Sequence, residues 1–481
     1  QALAADGIAP RFLGKGYGPT NMPRIATLFS LAVAFGGLGL AYLFPSGLNA
    51  LAAVITMFFL ASYGFISLAC GLASWSHTPS FRPTLKVPAV ISLAGAGGCF
   101  YMMSLINLPA MIAAVVIMIL IYLGLHRRRM KTVWGDLRHG IWAASIRRGL
   151  HSLEEAPYHP INWQPHLLVL GGSPKSRAYL LALADWLAGR RGVVTYGVLV
   201  QGSVEEMGSK IFDLEKSLRD AIRKKYPEFF IKVFVGANTF RDALSVVQAH
   251  GLSGYVPNTI VLGWSEDAAD AEDYREMLRG VSALDRSLIV CSYKPDREFG
   301  NRETMDIWWP HGSGDGSFLL LIATLLREHD DWAESLIRLK MIVDKDAPLG
   351  PPRRNLEKFL RSARIDAEVQ IYAQEDETTP RQDLIARNTD GDLVLLTLPD
   401  CSVDETAENY VERVNGLIRR LPSALLIRGS RLLSGTDVLI EDDFEKAGPK
   451  SAKKPEDLSS SGATPNTKEQ QTGQNPQKEQ Q

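Results

Sequence analysis

The chain has 481 residues, 46% of them hydrophobic and 22% charged, with 52 Lys and Arg against 53 Asp and Glu, so its formal net charge is −1. That length predicts two or three folding units, and the balanced charge gives no case for nucleic acid or another polyanion as a partner. The averages hide a segregation: between Arg24 and Arg127 the only Lys, Arg, Asp or Glu residues are Arg82 and Lys86. Such a split predicts a membrane part followed by a water-soluble part.

Residues 1–24 read as a loop ahead of the first membrane helix. QALAADGIAP has the look of the end of a helix already under way, so the sequence is expected to continue upstream. A bilayer core of about 30 Å needs about 20 apolar residues per helix. Four segments within residues 25–125 meet that need: Ile25 to Phe44, Ala52 to Ala73, Val87 to Ile106, and Pro109 to Leu125. Short polar turns between them suit a helical bundle in lipid, where no backbone group can be left unpaired.

Lys and Arg cluster before the first span (Arg11, Lys15, Arg24), in the middle loop (Arg82, Lys86) and after the last (Arg127, Arg128, Arg129, Lys131), while the other two loops have none. The basic sides are therefore expected to be cytoplasmic, and with them everything after Arg127. The glycines of Phe35 to Gly39 and Ala94 to Gly98 are read as packing within the bundle, with a dimer contact as the alternative. No Asp or Glu falls in the four segments, which argues against an intramembrane proton relay. Tyr63 is the polar group that stands out, either as a packed amphipathic ring or as a hydrogen-bond donor to an anion.

Residues 126–161 read as a connecting segment. Val133 to Leu153 has apolar residues at helical spacing and suits a helix along the membrane surface or against a partner helix. Strand candidates then alternate with helices: His166 to Leu170, Val193 to Leu199, Phe229 to Val235, Thr259 to Leu262 and Ser287 to Cys291, followed by Leu339 to Val343, Glu368 to Tyr372, Leu393 to Leu398 and Ala424 to Ile427. Alternation of this kind predicts a parallel sheet covered on both faces. Two related α/β halves are expected, 162–310 and 311–440, joined near Gly312 to Gly316. Residues 441–481, poor in apolar side chains, read as a disordered tail.

The first strand candidate runs into Gly171, Gly172 and Ser173. A Gly-rich turn at a helix N-terminus can hold a phosphate through backbone N–H groups, but neither a P-loop nor GxGxxG is present, and a plain turn explains it as well. No Ser-His-acid cluster, HExxH or paired-acid frame appears, so no catalytic residue is assigned and an enzyme is not expected. His311 and Asp315 are explained as turn residues of a connecting loop. The four cysteines, Cys70, Cys99, Cys291 and Cys401, show no CxxC spacing, so neither a disulfide framework nor a metal site is expected.

Several blocks together resemble the cation-chloride cotransporter family of the amino acid-polyamine-organocation superfamily. They are FFLASY (58–63) with the Pro-x-x-Arg-Pro loop ending at Pro83, GKGYGPTNMPR (14–24), NWQP (162–165), DIWWPHGSGDGSFLLLIATLLRE (306–328) and DLVLLTLP (392–399). The resemblance runs to about residue 430. It implies a fold: the last four transmembrane helices of an inverted-repeat, LeuT-like transporter, family helices nine to twelve, followed by a cytoplasmic α/β domain of two parallel-sheet halves like universal stress proteins. It also implies a function, electroneutral symport of potassium, sodium or both with chloride across the plasma membrane, by a homodimer in the lipid bilayer.

On that resemblance the principal ion sites lie on helices upstream of this sequence, Tyr63 matches the tyrosine that contacts a chloride ion, and no cofactor is required, although ATP or another nucleotide is bound in the first cytoplasmic half of some members. Phe81 stands where animal members often have Gly-Trp, and the soluble domain lacks long insertions. Both departures suggest a compact, prokaryotic-type relative. Two other readings stay open: an amino-acid or organic-cation permease with a stress-protein-like domain, and a membrane-anchored nucleotide-binding sensor.

Overall fold

The computed structural model describes residues 4, 11–17, 22–43, 47–77, 81–127, 137–156, 162–189, 191–252, 254–266, 270–310, 314–376, 380–402, 404–431 and 433. The expected tail, 441–481, the basic residues Arg128, Arg129 and Lys131, and His311 lie outside them. Two compact units result, residues 1–156 with 252–255, and 157–251 with 256–481.

The first unit is helical: α1 (Arg24–Leu43), α2 (Gly47–Ser76), α3 (Ala89–Ile106), α4 (Leu108–Arg127) and α5 (Leu137–Glu155). Among the described residues, three helical stretches are long and apolar enough to cross a membrane: Arg24–Leu43, Ile55–Ser76 and Ala89–Ile106. The fourth expected span is a 20-residue helix whose apolar stretch, Leu108–Gly124, is shorter. Asn107 separates α3 from α4: its extended backbone ends the first helix, and its side-chain oxygen accepts from Ala110 N at 3.0 Å to cap the second. Met57 and Ala61 of α2 meet Met103 of α3 and Ala114 of α4 in a small core.

Among the described helices the two glycine runs are packed only in part: Ala96 is buried, and a Cβ at Gly95 would lie 4.0 Å from Ser67 Oγ. Gly36 and Gly39 of α1 and Gly97 and Gly98 of α3 touch no neighbouring atoms, whereas Gly64 and Gly71 of α2 are the close-packed ones. A Cβ at Gly71 would lie 2.8 Å from the Leu93 side chain of α3. Proximity of small residues in sequence does not reveal which side of a helix meets a neighbour.

The second unit is α/β. Its elements in chain order are β1 (His166–Gly171), α6 (Ala178–Ala188), β2 (Val193–Gln201), α7 (Val204–Ile222), β3 (Phe230–Gly236), α8 (Thr239–Ala249), β4 (Thr259–Gly263), α9 (Ala271–Ala283) and β5 (Ser287–Ser292). There follow β6 (Thr304–Trp308), α10 (Gly316–Arg327), β7 (Leu336–Val343), α11 (Gly350–Ala363), β8 (Glu368–Ala373), α12 (Arg381–Arg387), β9 (Leu393–Thr397), α13 (Ala407–Ile418) and β10 (Ala424–Arg428). All ten strands form one sheet in the order β3-β2-β1-β4-β5-β10-β9-β6-β7-β8. Each half therefore has the order 3-2-1-4-5, parallel throughout, and the two fifth strands meet antiparallel, with Leu426 opposite Val290. The runs Leu167–Leu170 and Leu393–Leu396 are buried on both faces, as parallel strands under helices require.

The boundary between the halves differs from the sequence expectation of 310/311 and of a joint at Gly312 to Gly316. β6, for which no strand was expected, is the first strand of the second half, so the crossing segment is 293–303. The pattern concealed it because TMDIW has a charge at its centre. Asp306 is fully buried and is met by Lys340 Nζ at 2.9 Å and Arg338 Nε at 2.7 Å from β7, with the Gly391 N–H donating at 3.0 Å. Gly391 must stay small, since a Cβ there would lie 2.9 Å from the Asp306 carboxyl carbon.

Asp306→Ala leaves Lys340 and Arg338 with only the exposed Asp390 carboxylate as counter-charge, at 3.1 and 2.9 Å, and should cost about 3 kcal/mol. Hydrogen exchange reads this as lost protection in β6 and β7, and unchanged protection would show the network to be idle.

His166, at the start of β1, has its pKa lowered to about 4 by burial, reinforced by the nearby His250 and Arg286 and partly offset by a hydrogen bond to the Val256 backbone. It is therefore neutral in the native state, while the unfolded chain takes up a proton below about pH 6.5. Its contribution is complete above that value and is lost as pH falls towards 4. His166→Gln should flatten the loss of melting temperature between pH 6.5 and 4.5, and an unaltered slope would assign that loss to other groups.

Candidate functional site

Tyr63 sits in the middle of α2, and its ring stacks on Phe59, with centroids 6.4 Å apart and planes inclined by 19°. Ile55, Phe58, Phe59, Tyr63 and Ile66 are exposed on α2, on the side away from Met57 and Ala61. Among the described helices nothing covers that side. The ring is therefore not packed into this bundle, and it faces either lipid or helices outside this sequence.

The structure separates the roles of Gly171, Gly172 and Ser173. Gly171 ends β1 in register with Val198, and a Cβ there would lie 2.6 Å from the hydroxyl of the buried Tyr196, which donates to the Gly172 carbonyl at 3.3 Å. Its smallness is thus a packing requirement. Gly172 has open space where a side chain would go. The Ser173 carbonyl accepts from Ser176 N and Arg177 N, both at 3.1 Å, so those two amides close the turn on itself.

Beside this turn a cavity of about 600 Å³ opens at the C-terminal ends of β4 and β5 and the N-terminal end of α6. Arg177, Tyr179, Trp264, Glu266, Cys291 and Tyr293 contribute to its lining, whereas Gly171, Gly172 and Ser173 do not. In the order 3-2-1-4-5 the chain winds to one side of β1 and then to the other, so the crevice between β1 and β4 is the switch point at which open α/β sheets place ligands.

The Tyr179 and Tyr293 rings stack 4.4 Å apart with planes parallel to within 2°, and the Arg177 guanidinium lies 2.6 Å from the Tyr179 hydroxyl. Arg177 crosses the crevice to the end of β4, where a Cβ on Gly263 would meet it at 2.6 Å. Burial raises the pKa of Tyr179 against the opposing pull of Arg177, and burial pushes the Cys291 thiol up. Such a thiol is a poor nucleophile. The site offers a guanidinium, an aromatic stack and Glu266, paired with Lys294 at 3.8 Å. The guanidinium and the aromatic rings suit a planar, anionic molecule, and Lys294 offsets the opposing charge of Glu266.

Sequence reasoning missed Tyr179, Tyr293, Trp264 and Glu266 because they stand on α6 and on the segments that follow β4 and β5, and meet only through the strand order. A clue lay in Ser176 and Arg177, directly after the glycines. The blocks NWQP, DIWW…LLRE and DLVLLTLP fall immediately before β1, on β6 and α10, and on β9. Asp315 is buried and accepts from Gly429 N at 3.0 Å, which is a structural task.

Gly171→Ala should destabilise the second unit by about 1–3 kcal/mol through overpacking against Tyr196, whereas Gly172→Ala should change the melting temperature little. Equal effects of the two would show that the Tyr196 contact does not decide the residue at 171.

Residues 1–139 match the family model described as amino acid permease. Among solved structures, the chain is similar to the cytoplasmic domain of a prokaryotic cation chloride cotransporter, at 15% identity over 56% of this chain and 96% of that one, with a TM-score of 0.38. It is also similar to a universal stress protein from Archaeoglobus fulgidus DSM 4304, at 11% identity over 56% of this chain and 99% of that one, with a TM-score of 0.39. The segment similar to amino acid permeases thus holds the apolar helices, and it is followed on the same polypeptide by an α/β domain of two parallel-sheet halves.

Proposed function

We propose that this chain is the C-terminal part of a secondary, electroneutral cation-chloride symporter that moves potassium, sodium or both with chloride across the plasma membrane. The observation that carries the reading is the conjunction, in one sequence, of the FFLASY block on a permease-type helix with the soluble blocks 162–165, 306–328 and 392–399. On this reading the uncovered side of α2 that carries Tyr63 meets the upstream helices that hold the principal ion sites, and the Tyr63 hydroxyl donates to chloride. The Lys and Arg residues of the loops support a cytoplasmic α/β domain. The protein is not an enzyme. The open glycines of α1 and α3 are available for a homodimer contact.

The crevice beside Arg177 is the place for ATP or another nucleotide, held by Arg177 and the Tyr179–Tyr293 stack rather than by Gly171, Gly172 and Ser173. No cofactor is required for transport itself. An amino-acid or organic-cation permease is the second reading, favoured by the description of the family model that residues 1–139 match.

Rubidium uptake by the full-length protein in proteoliposomes, with chloride or gluconate and with or without sodium, separates these readings. Uptake that requires chloride supports symport, and uptake indifferent to chloride overturns it. Tyr63→Phe removes one hydrogen bond to an anion, about 1.5 kcal/mol, and should raise the half-saturating chloride concentration roughly tenfold. An unchanged chloride dependence would remove Tyr63 from the site.

A further inference from the structure

Helix α5 joins the last membrane helix to the α/β unit, and the first unit holds one side of it firmly. Ala144 is buried, and the Arg148 guanidinium lies 3.9 Å from the centre of the Trp75 ring and donates to the Trp75 carbonyl at 3.1 Å. Trp75 is in the last turn of α2, where the membrane-spanning stretch Ile55–Ser76 ends. The contact therefore fixes α5 at the depth where a span leaves the hydrocarbon.

The opposite side of α5 is apolar and uncovered. Trp142, Ile146 and Leu153 are 68%, 61% and 51% exposed, and with Gly149 they recur at spacings of four, three and four residues, a single stripe along the helix. Arg138 and His139 flank the stripe near its start, and Arg147 stands beside it. An apolar stripe bordered by cations, on a helix pinned to the end of a membrane span, matches the chemistry of the boundary between acyl chains and anionic headgroups. An aromatic residue at this level serves as an anchor, because an indole has an apolar body and a polar N–H.

We propose that α5 is an interfacial helix that lays Trp142, Ile146 and Leu153 into the bilayer surface, with anionic phospholipid headgroups gathered by Arg138 and Arg147. The occupant of the stripe is lipid, and the Arg148–Trp75 contact sets the depth. The proposal does not depend on which solute is transported.

The test uses the full chain in nanodiscs of phosphatidylcholine with phosphatidylglycerol, with Cys70, Cys99, Cys291 and Cys401 replaced by Ser. Spin labels are placed singly through Ile146→Cys and Arg147→Cys, and the relaxation caused by oxygen is compared with that caused by a water-soluble nickel chelate. Lipid contact predicts an oxygen-to-nickel ratio several-fold higher at 146 than at 147, rising further when phosphatidylglycerol is present. Equal ratios would put the stripe in water and overturn the proposal. Protection from both reagents at 146 would also overturn it, showing that protein covers the stripe, and spin–spin broadening would identify that protein as a second copy. As a check that needs no cysteine replacement, Trp142→Phe in the native chain should remove part of the fluorescence quenching by lipids brominated near the headgroup. Quenching identical to that of the native chain would count equally against the proposal.

Discussion

The antiparallel pairing of β5 with β10 is the constraint on which the soluble unit depends. Each half presents its fifth strand as an edge, and an unpaired edge of buried apolar residues would leave both backbone and side chains unsatisfied. Joining the two edges makes one ten-stranded sheet whose remaining edges are β3 and β8. Both faces reinforce the seam. On one, Trp186 packs on Trp332 and Phe299 and donates to Asp331 at 2.8 Å, while on the other Trp264 donates to Asn415 at 2.8 Å and packs near Tyr410. The chain ends of the strands are tied in as well, since Ser430 N donates to Ser287 Oγ and Lys294 N to Ser423 Oγ, each at 3.0 Å.

An antiparallel seam between two parallel halves makes their strands run in opposite directions. The two switch points therefore open at opposite ends of the strands. In the first half Arg177 and the Tyr179–Tyr293 stack border an open crevice. In the second, Trp309 fills the space over Gly316, where a Cβ would lie 2.6 Å from the indole, and Arg428 ties the end of β10 to the Leu398 carbonyl and the Asp400 carboxylate. Two halves with one topology thus differ at their switch points, the first leaving its crevice open and the second filling it. The buried Asp306–Lys340–Arg338 group adds a further tie to the second half, since charges removed from water must stay paired.

The membrane unit follows a different physics. Its helices are apolar on nearly every side because lipid offers no penalty for exposed apolar surface, so the helix patterns carry little information on which sides meet. Close approach occurs where Gly64 and Gly71 let α3 in, not at the more conspicuous glycine runs. Tyr63 illustrates the same point: the sequence marks it as the unusual polar group, but only the packing of α2 shows that its side is left free by the helices present.

The sequence by itself determined the division into a membrane and a soluble part, the α/β class and nearly every strand, because charge segregation and runs of buried aliphatic residues are local signals. It missed β6, since a buried Asp306 looks like a loop residue until Lys340 and Arg338 are placed beside it from another strand. Of the candidate site it marked the turn at Gly171 to Ser173, with a phosphate cradle and a plain turn both open, but it held no sign that Tyr196 on the next strand requires Gly171 to be small. Strand order, the seam and the meeting of Arg177, Tyr179 and Tyr293 were decided by tertiary structure alone. They depend on contacts between segments far apart in sequence, such as Tyr179 with Tyr293 and Val290 with Leu426, which no short window of sequence contains.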